Sequence, residues 1–183
     1  LGIAENAASL GDFYVQYDRL DKAKENYILA IVYFKQLDKE YDLASLLKIV
    51  GNIYLSQSNY SEALLFYKNS LKVSERNNYT DILPHIYNNS GLIYQHLKEN
   101  QKALTNYQKA YEGFKKLGLN EEVANAVSNI ANIYLADGND SLALDYYDEA
   151  LRIFKEAGNF IDASSIYIYL GNHEYEKENY TKA

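Results

Sequence analysis

Residues 41–78 read YDLASLLKIVGNIYLSQSNYSEALLFYKNSLKVSERNN, and this stretch contains two amphipathic helical patterns in succession. In each half, apolar side chains recur at steps of three and four residues, which is the spacing of one helical face. A polar break at 58–59 separates the two halves. The stretch therefore predicts a helix A over 41–57 and a helix B over 60–77, and the short turn makes them antiparallel neighbours.

The same pattern recurs along the whole chain at intervals of 40 residues. In each copy a small residue is followed twelve positions later by alanine: Gly11/Ala23, Gly51/Ala63, Gly91/Ala103, Ala131/Ala143 and Gly171/Ala183. Such a fixed period is typical of repeat proteins, in which each unit buries its apolar face against its neighbours. We expect one array over 1–183, with repeats at about 4–43, 44–83, 84–123, 124–163 and a truncated 164–183. Because the last repeat is incomplete, we also expect the chain to be a piece of a longer protein.

Tyrosine occupies two further phases of the repeat. One set lies three places after the small residue, and the other lies four places after the alanine: Tyr14, Tyr54, Tyr94 and Tyr134, then Tyr27, Tyr67, Tyr107 and Tyr147. The small residues let helices A and B approach closely, which explains why glycine recurs although it costs about 1 kcal/mol in a helix. We expect these tyrosines to form the core between repeats, with an aromatic ligand cage as the alternative.

Three residues mark predicted helix starts. Asn59 is expected to cap helix B of the second unit, and Asn120, followed by two glutamates, to cap helix A of the fourth. Pro84 falls in the first turn of the third helix A, where its missing N–H removes no helical hydrogen bond.

Composition restricts the classes of function. The formal net charge is −7, with no local cluster of lysine or arginine, so direct binding to nucleic acid is not expected. The longest apolar run, Tyr27–Phe34, is far shorter than the roughly 20 residues of a membrane-spanning helix. The N-terminus shows no signal-peptide pattern, and the absence of cysteine favours the cytoplasm.

Motifs for catalysis or cofactor binding are missing from the sequence. The three histidines, His85, His96 and His173, include no pair at metal-ligand spacing on one helix face. There is no nucleophile elbow, phosphate loop or zinc-protease motif. The sequence therefore predicts a protein that is not an enzyme and has neither a cofactor nor a metal.

The order of small, aromatic and alanine positions resembles the tetratricopeptide repeat. In the second unit the resemblance is carried by Val50, Gly51, Tyr54, Ala63 and Tyr67, and equivalent residues cover the whole chain. The resemblance implies an all-α fold, an α-solenoid of about 4.5 antiparallel helix pairs in a right-handed superhelix with helix A on the concave side. The 40-residue unit is similar to the extended repeats of Pins-type adaptors, kinesin light chain and bacterial peptide-sensing and transcriptional regulators.

On this resemblance, the groove-facing positions of helix A carry mostly side-chain amides. The predicted peptide-binding residues are Lys48, Asn52, Asn89, Gln95, Asn125, Asn129, Asn132 and Asn172. A carboxamide offers both a donor and acceptors, so a ladder of asparagines suits the backbone of an extended peptide. Leu92 interrupts the phase shared by Asn52, Asn132 and Asn172. The alternative is that asparagine is simply frequent in this chain and tolerated on a solvated face.

Lys48, Asn52 and Asn89 also match three positions of the carboxylate clamp of chaperone cofactors. The two basic residues that would complete the clamp correspond here to Asn125 and Asn129. Most of the positive charge needed for a C-terminal carboxylate is therefore absent, which disfavours a clamp.

Together these residues predict a protein-interaction module that binds an extended or helical peptide segment of a partner protein. We expect the module to belong to a larger signalling or regulatory protein. One alternative is a structural module that self-associates into homo-oligomers through its uncapped ends. Another is the sensor portion of a bacterial kinase or transcriptional regulator.

Overall fold

The computed structural model describes the backbone of residues 1–181 and the side chains of residues 1–175. Within this part of the chain nine α-helices form and no strand does. Their bounds are α1 (Gly2–Gln16), α2 (Leu20–Gln36), α3 (Glu40–Ser56), α4 (Tyr60–Asn77), α5 (Leu83–His96), α6 (Asn100–Leu117), α7 (Asn120–Ala136), α8 (Asp140–Glu156) and α9 (Phe160–Thr181). The predicted all-α fold is confirmed, and the predicted helices A and B of the second unit correspond to α3 and α4.

The helices fall into two compact units, Leu1–Glu99 with α1 to α5 and Asn100–Ala183 with α6 to α9. In the first unit α1 packs with α2, α2 with α3, α3 with α4, and α4 with α5; in the second, α6 packs with α7, α7 with α8, and α8 with α9. Odd-numbered helices are the predicted helices A, and even-numbered ones are helices B. That all of them form a single array stays a prediction, and Ala183 of the fifth copy lies outside the described residues.

One turn geometry ends every helix from α1 to α8. The residue at the turn has a positive φ and recurs every 20 residues: Asp18, Asp38, Ser58, Asn78, Lys98, Gly118, Gly138 and Gly158. The N–H of the following residue donates to the carbonyl five residues back, as Asn59 does to Tyr54 at 2.8 Å, which is the Schellman motif. The 40-residue period of the sequence therefore contains a 20-residue period of the backbone.

Two of the three predicted helix starts differ in detail. Asn59 is the N-cap of α4, but its side chain makes no capping hydrogen bond, unlike Asn139 at the equivalent position of α8. Asn120 is the first residue of α7 and Leu119 is the N-cap, since Gly118 and Leu119 complete the turn that ends α6. Pro84 lies in the first turn of α5, as predicted.

The end of α9 also differs from the prediction. The 40-residue period places the start of a fifth helix B, equivalent to that of α4 and α6, at about residue 180, yet α9 continues to Thr181. The residues at 176–178 are glutamate, lysine and glutamate, which are good helix formers, so the local sequence favours continuation.

Candidate functional site

A tyrosine of helix B packs directly on the small residue of helix A. Tyr67 is 1% exposed, and a Cβ built on Gly51 would lie 2.5 Å from Tyr67 Cε1. Gly11 meets Tyr27 at the same distance. Helix A therefore needs a small residue at this position because the tyrosine ring occupies the space of a side chain. The 12-residue spacing between the small residue and the alanine did not reveal this contact.

These tyrosines belong to the core between repeats, as expected. Tyr67 lies in a buried cluster with Ala44 of its own pair and with Ile82, Ile86 and Ile93 from the next helix A or the residue just before it. Tyr14 and Tyr54 of the other set are partly buried against the core clusters. Tyr54 also stacks on Phe66 of its own helix pair, with ring centroids 5.4 Å apart. Tyr134 stacks in the same way on Tyr146. The ring stacking of Tyr54 and Tyr134 thus lies within a repeat.

The hydroxyls of the buried tyrosines bind residues of the predicted asparagine ladder. Tyr67 Oη donates to Asn52 Oδ1 at 2.8 Å, and Tyr147 Oη donates to Asn132 Oδ1. In the first repeat Tyr27 Oη donates to a carboxylate instead, Asp12 Oδ1, at 2.6 Å. Asparagine and aspartate both serve because the hydroxyl needs only an acceptor. This structural role was missed from the sequence, although the constant 15-residue spacing was a usable signal.

A second hydrogen bond joins neighbouring helices A in the first unit. Asn89 Nδ2 on α5 donates to Asn52 Oδ1 on α3 at 2.9 Å. Asn52 Oδ1 thus accepts two hydrogen bonds. Among the described residues, neither Asn52 Nδ2 nor Asn89 Oδ1 has a hydrogen-bond partner, so the pair retains one free donor group and one free acceptor.

Lys48 lies one helical turn before Asn52 and is half-buried. Burial lowers the pKa of its ammonium group, and the nearby carboxylate of Asp81 opposes that shift. Asp81 also accepts a hydrogen bond from Tyr41 Oη at 2.6 Å. The positive charge of Lys48 is therefore partly neutralised by Asp81, which further disfavours a carboxylate clamp.

The remaining predicted site residues lie on α5, α7 and α9. Gln95 and Asn129 are half-buried, whereas Asn125 and Asn172 are exposed. In the second unit Asn125 and Asn132 line a cleft of about 220 Å³ that is completed by Tyr147 and by Ser165 and Tyr169 of α9. The structure thus brings together Lys48, Asn52 and Asn89 in one unit, and Asn125 and Asn132 in the other.

Comparison with known proteins identifies the repeat. Residues 83–156, which hold α5 to α8, match the family model of the tetratricopeptide repeat, and the same helix-pair architecture extends through the described helices on either side. Residues 83–156 are therefore tetratricopeptide repeats. No curated protein matches the chain by sequence.

Solved structures share the fold of this chain at low sequence identity. The apo form of RapI is 19% identical with a TM-score of 0.87, covering 94% of this chain and 63% of that one. The sensor-bearing STAND ATPase of Pyrococcus horikoshii is 22% identical with a TM-score of 0.80, covering 96% and 27%. The Rap conjugation gene regulator of plasmid pLS20, solved with the Phr* peptide, is 16% identical with a TM-score of 0.79, covering 95% and 48%. The chain thus spans less than two thirds of each of these proteins.

The described part of the chain offers neither a metal site nor a membrane span. No three histidine, aspartate or glutamate side chains within it gather in a way that could hold a metal ion. No helix of that part is both long and apolar enough to cross a membrane.

Proposed function

We propose that this chain binds an extended peptide segment of a partner protein along its helices A. Two atoms on neighbouring helices support this function, the free donor Asn52 Nδ2 on α3 and the free acceptor Asn89 Oδ1 on α5. A peptide group presents the complementary pair, a carbonyl acceptor and an N–H donor. The Rap regulator of similar fold, solved with its Phr* peptide, is consistent with such a ligand.

The asparagine pair is organised before any peptide arrives. Asn52 Oδ1 is bound by Tyr67 Oη and by Asn89 Nδ2, and Tyr67 is itself buried against Gly51. Ordering a mobile side chain at an interface costs about 0.5–1.5 kcal/mol, so carboxamides already held by the fold avoid part of that cost. On the family resemblance, Lys48 and Gln95 belong to the binding strip of the first unit. The corresponding positions of the second unit are Asn125, Asn129, Asn132 and Asn172.

An aspartate substitution separates binding from folding. In Asn52→Asp/Asn132→Asp the acceptor for each tyrosine hydroxyl remains, as in the Asp12 and Tyr27 pair, while the amide donor is lost. Peptides selected from a random displayed library against the wild-type chain should bind this variant about tenfold more weakly by calorimetry, a change of about 1.4 kcal/mol. The control Asn6→Asp/Asn78→Asp makes the same charge change at two exposed positions off this strip and should bind normally. Equal affinity of the selected peptides for wild type and Asn52→Asp/Asn132→Asp would overturn the proposal.

Self-association is a second candidate function, favoured by the exposed apolar side chains of α9. Phe160, Ile161 and Ile168 are 67%, 82% and 64% exposed, and exposed apolar faces promote assembly. Sedimentation velocity should then show association that rises with concentration and is lost in Ile161→Glu/Ile168→Glu. A constant sedimentation coefficient would exclude this function for the chain. That the module serves as the sensor of a kinase or transcriptional regulator stays a prediction from the resemblance.

A further inference from the structure

Helix α2 differs from the other helices B on its outward face. Ile28, Leu29 and Val32 are 41%, 46% and 47% exposed. The equivalent positions of α4, α6 and α8 are all polar: Lys68, Asn69 and Lys72; Gln108, Lys109 and Glu112; and Asp148, Glu149 and Arg152. All three positions are also exposed in α4 and α6, so their exposure is a property of this face of helix B and does not depend on the place of α2 in the array. Exposed apolar residues where the other repeats carry polar ones mark an interaction surface.

A cleft adjoins this face between α2 and α4. Its volume is about 420 Å³, and its apolar lining comes from Ile31 of α2, Leu43 and Leu47 of α3, and Val73 of α4. This volume is suited to a few side chains, not to a whole segment of chain. The exposed face of α2 and the cleft together therefore fit an element that lies on the surface and inserts apolar side chains.

The cleft is edged by cations that lack an opposite charge. Lys35 and Lys72 line it, and neither forms an ion pair with a described residue. Arg76 also lines it but is paired with Glu40. Free ammonium groups beside an apolar surface favour a partner that brings carboxylates.

The equivalent cleft of the second unit has a different charge character. Its volume is about 340 Å³, and it carries Glu149 and Glu156 at the positions of Asn69 and Arg76. Arg152, at the position of Lys72, is paired with Glu156 at 3.0 Å. Lys115, at the position of Lys35, also lines the second cleft. Among the described helices B, α2 alone combines an exposed apolar face with unpaired cations at its cleft, so the second cleft is a matched control.

We propose that the α2 surface, defined as Ile28, Leu29, Val32 and the adjoining cleft with Lys35 and Lys72, binds an acidic amphipathic helix of a partner protein. Apolar side chains of that helix, spaced at i, i+4 and i+7, pack on the exposed face and enter the cleft. Its glutamates or aspartates pair with Lys35 and Lys72. This surface is separate from the asparagine strip of the helices A, so it adds a second binding function to the module.

A designed peptide tests the proposal directly. The probe is a fluorescein-labelled helical peptide with leucine at i, i+4 and i+7 and glutamate at most other positions, titrated with the whole chain by fluorescence anisotropy. The variant Ile28→Gln/Leu29→Lys/Val32→Glu copies α6, leaves the net charge unchanged, and should weaken binding at least about tenfold. Lys35→Glu/Lys72→Glu should weaken it to a similar extent at low salt. The control Lys115→Glu/Arg152→Glu changes the equivalent positions of the second unit by the same charge and should leave affinity within about twofold.

Three results would overturn the proposal. The first is equal binding of the α6-like variant, and the second is equal binding of a probe with lysine in place of every glutamate. The third is a wild-type dimer in sedimentation that the α6-like variant abolishes, because a second copy would then occupy the face. Circular dichroism should show the wild-type helix content in the α6-like variant, since α6 carries the same residues at the same phase. Asn52→Asp/Asn132→Asp should bind the probe normally, which keeps this test independent of the asparagine strip.

Discussion

Gly51 lies directly beneath the ring of Tyr67, so close that a Cβ on Gly51 would come within 2.5 Å of Tyr67 Cε1. The next residue of α3, Asn52, accepts the hydrogen bond of the same tyrosine. Two adjacent residues of helix A therefore position one buried side chain, the first by lacking a side chain and the second by supplying an acceptor. Because Tyr67 also packs with Ile86 of α5, this contact connects the helix pair to the next repeat.

Replacing Gly51 by leucine should destabilise the protein. The new side chain cannot share the space of the Tyr67 ring, and overpacking of this kind costs about 1–3 kcal/mol. We expect a correspondingly lower midpoint in urea unfolding followed by circular dichroism. Gly51→Ala should cost less, because Ala131 already carries a Cβ at the equivalent place while Tyr147 remains 1% exposed.

Gly171 is the matched control for that substitution. A Cβ built there meets nothing within 4 Å. Gly171→Leu should therefore gain up to about 1 kcal/mol from helix propensity alone. A loss of stability in Gly171→Leu as large as in Gly51→Leu would show that the tyrosine contact is not the cause.

The hydrogen bond between Tyr67 and Asn52 should show strong coupling in a double-mutant cycle. Asn52→Leu leaves a buried hydroxyl without its acceptor and should cost about 1–3 kcal/mol, while Tyr67→Phe should cost about 1 kcal/mol. The double variant should cost less than the sum, since both partners are then apolar. Leu92 shows that the repeat accepts leucine at this phase. Additive losses in urea unfolding would contradict the pairing.

Alkaline pH should destabilise the fold through the buried tyrosines. Burial raises the pKa of Tyr67 to about 12, whereas an unfolded tyrosine titrates near pH 10. The folded state then keeps a proton that the unfolded state has lost. The resulting stability is fully present below about pH 10 and is lost between about pH 10 and about pH 12, by up to about 1.4 kcal/mol per pH unit for one group.

Tyr67→Phe should make the slope of the unfolding free energy against pH less steep above about pH 10, because the contribution of one titrating proton is removed. Burial also raises the pKa values of Tyr107, Tyr147 and Tyr27, so a residual slope should remain in the variant. An unchanged slope would show that Tyr67 keeps an ordinary pKa in the folded protein.

The turn residues should respond to glycine in opposite directions. Ser58 has φ of 56° and Gly138 has φ of 77°. A side chain in this left-handed region costs about 1 kcal/mol, which glycine avoids. Ser58→Gly should therefore raise the midpoint of thermal unfolding and Gly138→Ala should lower it. A shift of the same sign in both variants would be inconsistent with the observed backbone.

Helix positions could be predicted well from the sequence, and the turns less well. The predicted helices 41–57 and 60–77 agree with α3 and α4 within one residue. The left-handed turn residue, by contrast, is aspartate, serine, asparagine, lysine or glycine in different copies, so residue type alone did not mark it. Asn120 was misplaced for the same reason, because the turn that precedes it is closed by backbone hydrogen bonds that any residue can make.

The candidate site was only partly visible in the sequence. The periodicity placed Asn52, Asn89 and Asn132 on helices A, but it could not show that Asn52 Oδ1 is occupied by a tyrosine hydroxyl and a second amide. A sequence names an asparagine but does not show which part of its carboxamide, the NH2 donor or the oxygen acceptor, is already hydrogen-bonded. Whether the donor or the acceptor is committed depends on side chains of two other helices.

The sequence by itself determined the helices, the repeat and the tyrosine core. Helical periodicity and a 40-residue repeat can both be recognised from the spacing of residues along the chain. Only the tertiary structure decided which atoms remain free to bind. It paired Asn52 with Tyr67 and Asn89, which come from two neighbouring helices, and it left Ile28, Leu29 and Val32 of α2 in solvent. Both outcomes depend on distances between helices, and these are set by packing and not by sequence spacing.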